Sequence, residues 1–341
     1  MIKNNFEFWN NRDLINKRQE INIILLAHVH APRGTINHNQ IQCSSTERFS
    51  IDEFNEIYQG IVNAGYYIQA VYFNELDFIS EYIQNPKRFD NSLVYNLARN
   101  GFGNNKKTII PSFCELVGLK YTTSTAVTCS LCRDKYLFST LLKSHDIPTP
   151  DSWLFNQDSI WLPQEPHINT QIIVKPCSES ASQGVNEKCI IASRDIGKYI
   201  HKNSIVQEFI NGIECEVPVF KIGQKIQAFP PVGIDLKGRQ IIDEKSSNEY
   251  SYDFYDLCAT QSIEVISRLR NLAEQTFRVL QMEVYGRVDF RIDQEGNPYV
   301  FDVSTTPYTI HHSSFAFAFD RLGFEYNNIY NAIISAALMR Y

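Results

Sequence analysis

The sequence lacks the features that define several protein classes. Among its 341 residues, no apolar run reaches the roughly 18 that a helix needs to cross a bilayer. The formal charge is −6, so no basic excess is available to attract nucleic acid or an anionic membrane. No segment recurs at the period of about 20–50 residues that marks a solenoid. We therefore expect a globular protein with neither a nucleic-acid partner nor a membrane partner.

The beginning of the chain also lacks the apolar core of a signal peptide, so the expected location is cytoplasmic. The eight cysteines are scattered along the chain, which predicts reduced thiols and no disulfide framework. Cys129 and Cys132 form a C-x-x-C pair. No second pair or nearby histidine completes a zinc set, so we predict neither a zinc site nor a redox site there.

The first part of the sequence has a pattern of alternating strands and helices. Ile21–Ala27 is a short apolar run typical of a buried parallel strand. Apolar residues from Ile51 to Val62 recur at helical spacing, and Gly65 follows as a helix cap. Tyr67–Phe73 is the next apolar run. Strand, helix and strand in this order predict an α/β domain with a parallel sheet, which we place at residues 1–125.

The rest of the chain predicts two smaller units of the α+β kind. Arg133–Lys143 has the pattern of an amphipathic helix, and the prolines at 148 and 150 predict an extended linker after it. Short strands around one helix are predicted between Ile172 and Phe220. Two helices, Ile263–Met282 and Asn327–Met339, flank a hairpin. The predicted boundaries of these units are 126–217 and 218–341.

The hairpin lies within residues 286–307, GRVDFRIDQEGNPYVFDVSTTP. Two alternating runs flank the turn at residues 294–297, as in a β-hairpin with a four-residue loop. Symmetric pairing about that turn sets Asp289 opposite Asp302 and Arg287 opposite Ser304. Because side chains alternate along a strand, one face should carry Arg287, Asp289, Arg291, Val300, Asp302 and Ser304.

Two directly opposed aspartates favour a cation between them, since like charges in that position are destabilising. Carboxylate oxygens are hard ligands, and they suit Mg²⁺. The alternative is a half-exposed hairpin in which Arg287 and Arg291 neutralise both acids.

Two further segments have features of a nucleotide site. Lys175 ends a predicted strand and precedes a small, hydroxyl-rich loop, residues 178–184, whose backbone N–H groups could cradle phosphate. The P-loop pattern G-x-x-x-x-G-K-[ST] is absent. Residues 206–210 form a strand that runs into a tight turn, with Glu214 beyond it to accept ribose hydroxyls. Taken singly, these segments could also be a polar strand end and an ordinary edge-strand hairpin.

In combination and in this order, the segments resemble the ATP-grasp superfamily, and within it the D-alanine–D-alanine ligase branch. The resemblance is carried by NLARNGFGNN, LVGLKYTTS, SLCRDKYLFSTLLKSHDIPTPDSW, IIVKPCSESASQGV, VQEFINGIECEV, GRVDFRID and FDVSTTPYTIHHS. It implies ATP-grasp architecture: an N-terminal parallel-sheet domain, a small central lid domain and a C-terminal catalytic domain. It also implies ATP and Mg²⁺ as cofactors, and a reaction in which a phosphorylated carboxylate is attacked by an amine.

The resemblance assigns roles to individual residues. The implied ATP-binding residues are Lys135, Lys175, Glu179, Gln207, Glu208, Ile210 and Glu214. The implied catalytic residues are Arg287, Lys245 on a closing loop and Ser182 in the lid. The implied metal ligands are Asp289, Asp302 and Ser304, and the implied substrate contacts are Tyr308, His312, Ser313 and Ser314.

The departures from the family pattern concern the substrate pocket more than the nucleotide site. Asp302 and Ser304 stand where the family usually has Glu and Asn, and Tyr308 stands where a glycine usually follows the proline. The glycine-rich segment and the amine-binding glutamate of the first domain have no counterpart. The substrate-reading histidine expected near Ala98 is missing as well. The nucleotide machinery therefore looks retained, whereas the D-alanine pocket does not.

Histidines suggest two further substrate contacts. His28 and His30 should point the same way at the carboxyl end of the first strand, where open α/β sheets bind ligands. His311 and His312 lie beside the hairpin, and we expect His312 to support the metal or the substrate. The alternatives are a polar strand end for the first pair and a structurally satisfied pair for the second.

We conclude from the sequence that the protein is an ATP-dependent carboxylate–amine ligase working through an acyl phosphate. Its partners would be a small-molecule carboxylate and a small-molecule amine, both amino-acid-like but not two D-alanines. D-alanine–D-alanine ligase proper and a catalytically weakened ATP-binding regulatory protein remain alternatives. A peptide or carrier-bound substrate, docked on residues 227–259, is another. The resemblance also implies a possible homodimer through the first domain.

Overall fold

The computed structural model describes residues 6–30, 47–101, 103–166 and 170–341, and these residues form three β-sheets with helices packed around them. None of the helices in this part of the chain is long and apolar enough to cross a membrane.

The first sheet is parallel and four-stranded, in the order β2-β1-β3-β4, which confirms the predicted α/β unit. Its strands are β1 (Asn22–Ala27), β2 (Tyr67–Tyr72), β3 (Ser92–Leu97) and β4 (Lys120–Tyr121). Its helices are α1 (Arg12–Glu20), α2 (Ile51–Asn63), α3 (Glu75–Gln84) and α4 (Ile109–Val117). Ser50 and Glu53 form a capping box that fixes the start of α2.

The second sheet is antiparallel and five-stranded, in the order β6-β5-β9-β7-β8. Its strands are β5 (Ser152–Phe155), β6 (Trp161–Leu162), β7 (Gln171–Pro176), β8 (Ile190–Ala192) and β9 (Ser204–Glu208). A 3-10 helix, Ser193–Lys198, stands where an α-helix was expected. Because β9 is the central strand and the chain leaves it for another sheet, the edge-strand hairpin considered for residues 206–214 is wrong.

The third sheet is six-stranded, in the order β13-β12-β10-β14-β15 with β11 paired to β10. Its strands are β10 (Ile213–Ile222), β11 (Lys225–Ala228), β12 (Val232–Asp235), β13 (Asp253–Asp256), β14 (Tyr285–Ile292) and β15 (Pro298–Ser304). The helices beyond α4 are α5 (Ala126–Arg133), α6 (Lys135–Lys143), α7 (Glu244–Glu249), α8 (Ile263–Val279), α9 (Ser314–Arg321) and α10 (Asn328–Leu338).

The helix predicted to begin at Arg133 is interrupted by Asp134. The side chain of Asp134 accepts hydrogen bonds from the backbone N–H groups of Tyr136 and Leu137, so it caps a new helix, α6. Arg133 therefore ends α5 and Lys135 begins α6. This break turns the two cations toward the cavity described below.

Two of the hydrophobic cores join segments that are distant in the sequence. Tyr330 and Ile333 of α10 pack with the first sheet, although they end the chain. Phe138 of α6 packs with Val217 and Phe290 of the third sheet. Strand β10 also runs through the predicted boundary between residues 217 and 218. The domain boundaries 1–125, 126–217 and 218–341 stay a prediction.

The hairpin of β14 and β15 confirms the pairs Asp289–Asp302 and Arg287–Ser304. A bulge after Asp289 shifts the register, so that Phe290 pairs with Val300 and Arg291 with Tyr299. The expected position of Val300 beside the aspartates is therefore wrong, because Val300 lies in the apolar core with Val288 and Phe290. Phe301, which symmetric pairing assigned to the apolar face, lines the cavity instead.

Candidate functional site

One cavity of about 210 Å³ brings together most of the predicted site residues. It is lined by residues of the second and third sheets, by helices and loops, and by Arg99 and Lys107 from the loop after β3. The predicted residues that line it are Lys135, Lys175, Glu179, Ser182, Gln207, Glu208, Ile210, Glu214, Arg287, Asp289, Asp302, Ser304 and Tyr308. The predicted residues outside its lining are His28, His30, Lys245, His312, Ser313 and Ser314.

Two buried lysines enter the cavity beside Asp302. Lys135 Nζ donates to the backbone carbonyl of Glu179 at 2.6 Å and lies 3.7 Å from a carboxylate oxygen of Asp302. Lys175 Nζ lies 5.5 Å from the centre of the Phe301 ring. Burial lowers the pKa of Lys175 to about 8, although the charge of Asp302 partly offsets this. Both lysines are placed to contact an anion, and the lowered pKa makes the charge of Lys175 sensitive to pH near that value.

Arg287 is clamped between two acids. Its Nε and Nη2 donate to the two carboxylate oxygens of Asp289 at 2.7 and 2.8 Å, and its Nη1 lies 3.1 Å from Glu216. Burial raises the pKa of Asp289 to about 7, even though the Arg287 charge opposes that rise. Of the two arginines considered as neutralising partners, only Arg287 pairs with an aspartate. Glu216 of β10 pairs with Asp289 of β14, and the sequence analysis did not identify it as a site residue.

These acids fit a shared magnesium site. Asp289 and Asp302 face each other across the hairpin, and one oxygen of Glu216 is buried with no hydrogen-bond partner in the described residues. Nowhere in that part of the chain do three or more His, Cys, Asp or Glu side chains form a set able to hold an ion. Mg²⁺ is commonly held by one or two carboxylates together with substrate phosphates. The donor set fits that arrangement and not a closed site made of protein alone.

Arg291 organises the part of the cavity that follows β9. It donates to the carbonyl oxygens of Ile210, Gly212 and Gln240 and to the carboxylate of Glu214 at 2.9 Å. Its guanidinium group also stacks on the ring of Phe209 at 4.8 Å. Burial raises the pKa of Glu214, and the Arg291 charge opposes that rise. The sequence analysis considered Arg291 only as a partner of the aspartates. The bulge after Asp289 changes the register, and Arg291 binds Glu214 instead.

The expected adenine-binding segment occupies the exit of β9. Gln207 is buried, and its amide nitrogen donates to the Ser152 hydroxyl at 3.0 Å. The strand then continues through Glu208 and Ile210 along the wall of the cavity. The three residues of the expected adenine-binding segment therefore line the cavity, and their contact with adenine stays a prediction.

The loop of residues 178–184, predicted to cradle phosphate, contributes Glu179 to Gln183 to the cavity lining. Ala181 and Ser182 have φ values of 53° and 52°, a left-handed conformation that is uncommon for residues other than glycine. Successive N–H groups in turned conformations of this kind can form an anion-binding concavity. The backbone N–H of Gly184 donates to Glu244 of α7 at 3.0 Å, which ties the loop to the third sheet.

Lys245 does not reach the cavity. It is exposed on α7, whereas its neighbours Ser247 and Tyr250 line the cavity wall. The capping box of Asp243 and Ser246 fixes α7 and thereby turns Lys245 outward. Its predicted catalytic contact is thus not formed in this structure.

The two histidines after β1 do not point the same way. His28 is fully buried, with Nε2 3.1 Å from Glu75 and Nδ1 accepting from the backbone N–H of Arg99 at 3.1 Å. His30 is exposed, and neither ring lines the cavity. The shared binding site predicted for them is wrong, because His28 packs inward and holds the loop that carries Arg99.

The residues predicted near the start of α9 lie behind the cavity wall. The Ser313 hydroxyl accepts from the backbone N–H of Ala316 and donates to the carbonyl of Ile310, so it caps the helix. Ser314 lies close to Glu216 and opposes the rise that burial causes in the Glu216 pKa. His312 packs among Tyr250, Tyr252 and Phe254, with ring centres 4.9 to 5.1 Å away. These residues support the lining and do not form it.

Comparison with known proteins assigns a family to this arrangement. Residues 141–335 match the model described as "D-ala D-ala ligase C-terminus", which is more than half of the chain. The chain belongs to the D-alanine–D-alanine ligase family. Its fold is the ATP-grasp fold.

The relatives of this chain include proteins that carry the ligase name and one that does not. The chain is 26% identical over 270 residues to "Uncharacterized protein y4sG" of Sinorhizobium fredii, covering 75% of this chain and 77% of the relative. It is 24% identical over 230 residues to the D-alanine–D-alanine ligase of Ralstonia nicotianae, covering 64% and 67% of the two chains. A crystal structure of the Bacillus anthracis D-alanine–D-alanine ligase complexed with ATP superposes with a TM-score of 0.66 at 19% identity. That match covers 93% of this chain and 97% of the other.

Proposed function

We propose that this protein is an ATP-dependent carboxylate–amine ligase acting on small-molecule substrates other than two D-alanines. The observation that carries the proposal is the cavity in which Lys135 and Lys175 lie near Asp302 and Asp289 faces Asp302 across the hairpin. Arg287 lines the same cavity and donates to Asp289. Cations and hard carboxylates in that relation suit phosphoryl transfer, in which catalysis is mostly positioning and charge stabilisation.

The proposed reaction has two steps. A carboxylate oxygen of the acyl substrate attacks the γ-phosphorus of ATP, its bond to the β–γ bridging oxygen breaks, and ADP leaves. The amine nitrogen then attacks the acyl carbon, the bond from that carbon to the phosphate oxygen breaks, and phosphate leaves as the nitrogen loses a proton. Both steps concentrate negative charge on oxygens that a ring of buried cations would stabilise.

The roles of the residues follow from their positions. Lys135, Lys175 and the backbone of residues 178–184 would hold the phosphates, with Gln207 to Ile210 against the base and Glu214 at the ribose. Arg287 would stabilise charge on the transferring phosphoryl. Asp289 and Asp302 would hold Mg²⁺, which would supply positive charge to stabilise the phosphates. Ser304 lines the same cavity but is a weak neutral ligand.

Substrates other than D-alanine are proposed because the acyl region differs from the family pattern. The ring of Tyr308 stands edge-on to Phe49 at 5.3 Å and beside Arg99 at 4.7 Å. A bulky residue at this point narrows the space next to the reacting carbonyl. Several relatives are nevertheless named D-alanine–D-alanine ligase, so that activity is the first alternative to test.

A second candidate is an ATP-binding regulatory protein that lacks ligase chemistry. The observations that favour it are the outward position of Lys245 and the clamping of Arg287 by Asp289 and Glu216. Such a protein would bind ATP without releasing ADP in the presence of any acid and amine.

Calorimetry with ATP, with and without Mg²⁺, tests the nucleotide part of the proposal. An ADP-release screen of paired carboxylates and amines then tests the chemistry. We expect ATP binding that requires Mg²⁺, and ADP release that requires an acid. Absence of ATP binding would overturn the proposal, and binding without any acid-dependent ADP release would favour the regulatory candidate.

A further inference from the structure

The cavity contains an excess of positive charge away from the lysine pair. Arg99, Lys107 and Arg133 line the cavity around Tyr308, and we call this region the acyl end. Arg99 donates to the carbonyl of Thr306 at 3.3 Å and stacks on Tyr308 at 4.7 Å, so it adjoins the segment that follows the hairpin. None of these three cations was among the residues singled out from the sequence.

Two carboxylates near the acyl end are shared among several cations. Glu47 lies 2.7 Å from Arg133 and 3.4 Å from Lys106, and Glu179 lies 2.7 Å from Lys106 and 3.4 Å from Arg133. In the described residues neither Arg99 nor Lys107 has a carboxylate within ion-pair distance, although the charge of Glu47 raises the pKa of both against the effect of burial.

Within ion-pair distance, the described residues supply two carboxylates, Glu47 and Glu179, to the cluster of four cations Arg99, Lys106, Lys107 and Arg133. The residues outside the described ranges, 1–5, 31–46, 102 and 167–169, include no Asp and no Glu. The cations of this cluster therefore outnumber the carboxylates that pair with them. Burying charge without a partner is costly, so such an excess is expected where an anion binds.

The backbone holds these cations toward the cavity. Lys107 has φ of 69°, and its N–H donates to the carbonyl of Asn100 at 3.2 Å, which closes a tight loop. Within this loop a Cβ at Gly101 would lie 2.7 Å from the Asn105 carbonyl, so the loop requires glycine there. A left-handed residue with a charged side chain inside a cavity is typical of a functional constraint.

The charges and buried hydrogen-bond donors at the acyl end fit an anion-binding site. Burial, together with the charges of Arg99 and Arg133, lowers the pKa of Lys107 well below its usual value. The Nε atoms of Arg99 and Arg133 are buried and make no hydrogen bond to any described residue. A bound anion would accept these donors and restore the charge of Lys107.

Among the described residues, the carboxylates Glu47 and Glu53 near the acyl end are already engaged by other groups. Glu47 is fully buried against Arg133 and the Ser180 hydroxyl. Both oxygens of Glu53 are engaged, one by the backbone N–H of Ser50 at 2.6 Å and the other by the Tyr250 hydroxyl. An α-ammonium group at this end would therefore meet cations.

We propose that the acyl substrate carries a second anionic group, a carboxylate or a phosphate, which Arg99, Lys107 and Arg133 bind while the first carboxylate is phosphorylated. This substrate class rests on the ligase function proposed above. Lys107 would be the main determinant of specificity, because it has no ion pair in the described part of the chain.

Hydroxylamine makes the test independent of the unknown amine. Its nitrogen attacks the acyl carbon of an acyl phosphate, phosphate leaves, and a hydroxamate forms as the nitrogen loses a proton. The full-length protein would be incubated with ATP, Mg²⁺, hydroxylamine and matched acids: dicarboxylates and phosphate-bearing carboxylates in one series, and monocarboxylates and D-alanine in the other. Mass spectrometry of the hydroxamates identifies the acids that are activated.

We expect hydroxamates from acids with a second anionic group at rates at least about tenfold above their monocarboxylate counterparts. Comparing the dicarboxylate arm with the phosphate arm shows which anion is bound. Equal or better use of D-alanine, or no hydroxamate from either anionic series while ATP still binds, would overturn the inference. Loss of ATP binding would instead overturn the ligase proposal itself.

Variants at Lys107 separate this role from phosphate binding. Lys107→Met keeps the length of the side chain, and we expect it to raise the KM for the preferred acid at least about tenfold with ATP affinity unchanged. Lys107→Arg should recover most of the loss, and Lys87→Met, an exposed lysine of the first domain, should have no effect. A Lys107→Met protein with weakened ATP binding and an unchanged KM for the acid would reassign this cluster to the phosphates.

Discussion

At one end of the cavity Lys135 and Lys175 lie near Asp302, whereas at the acyl end Arg99, Lys107 and Arg133 lie together without a matching number of carboxylates in the described residues. Every ATP-grasp ligase must bind the same phosphates, so that geometry tolerates little change. The acyl substrate can vary between enzymes. The contrast between the two ends teaches that membership of the family predicts the nucleotide chemistry better than the substrate.

The largest effect is expected at the phosphate end. Asp302→Asn should reduce kcat by about a hundredfold or more and leave the fold intact, because a preorganised charge beside the transferring group is lost. Steady-state ADP release measures this, and circular dichroism checks the fold. Asp320→Asn, an exposed aspartate of α9, is the matched control. Full activity of the Asp302 variant would remove it from the metal site.

We expect the acyl end of the cavity to exclude D-alanine as a substrate. Incubation with ATP, Mg²⁺ and D-alanine should give little or no dipeptide, because an ammonium group buried without a carboxylate partner costs several kcal/mol. This cost corresponds to a loss of about a hundredfold or more in the affinity for D-alanine. Mass spectrometry of the products decides the matter, and robust D-alanyl-D-alanine would show that the two ends do not differ as described.

Lys175→Ala should weaken ATP binding and spare the acid. A charge-assisted contact to phosphate is worth about 1.5–3 kcal/mol, or roughly ten- to a hundredfold in affinity. Calorimetry measures the loss, with Lys188→Ala as an exposed control from the same sheet region. If ATP affinity does not change, Lys175 is not at the phosphate end.

The smallest effect concerns pH. Because the pKa of Lys175 is lowered to about 8, the free protein loses this charge as the pH rises through that value. The kcat/KM for ATP, which reports free-enzyme groups, should therefore fall above pH 8 by up to about tenfold at pH 9. Lys175→Arg should move the decline to higher pH, since arginine stays charged. A flat profile from pH 7 to 9 in the unaltered protein would contradict this.

Local patterns were sufficient for much of the fold and for the phosphate end. Strands β1 to β3 and helix α2 follow from apolar periodicity, since burial of one face imposes that period directly on the sequence. The opposition of Asp289 and Asp302 follows from hairpin symmetry, because the two residues are close in the chain. The symmetry argument failed beyond Asp289, because a bulge depends on how the sheet packs and leaves no clear mark in the sequence.

What the sequence determined by itself is the family, the order of the sheets along the chain and most of the predicted residues that line the cavity. Only the tertiary structure decided that Lys245 turns outward, that His28 is buried against Glu75, and that Arg99, Lys107 and Arg133 meet beside Tyr308. These relations join residues that are distant in the chain and that lie on loops and helices. They form only after the three sheets have packed, so no local spacing could have indicated them.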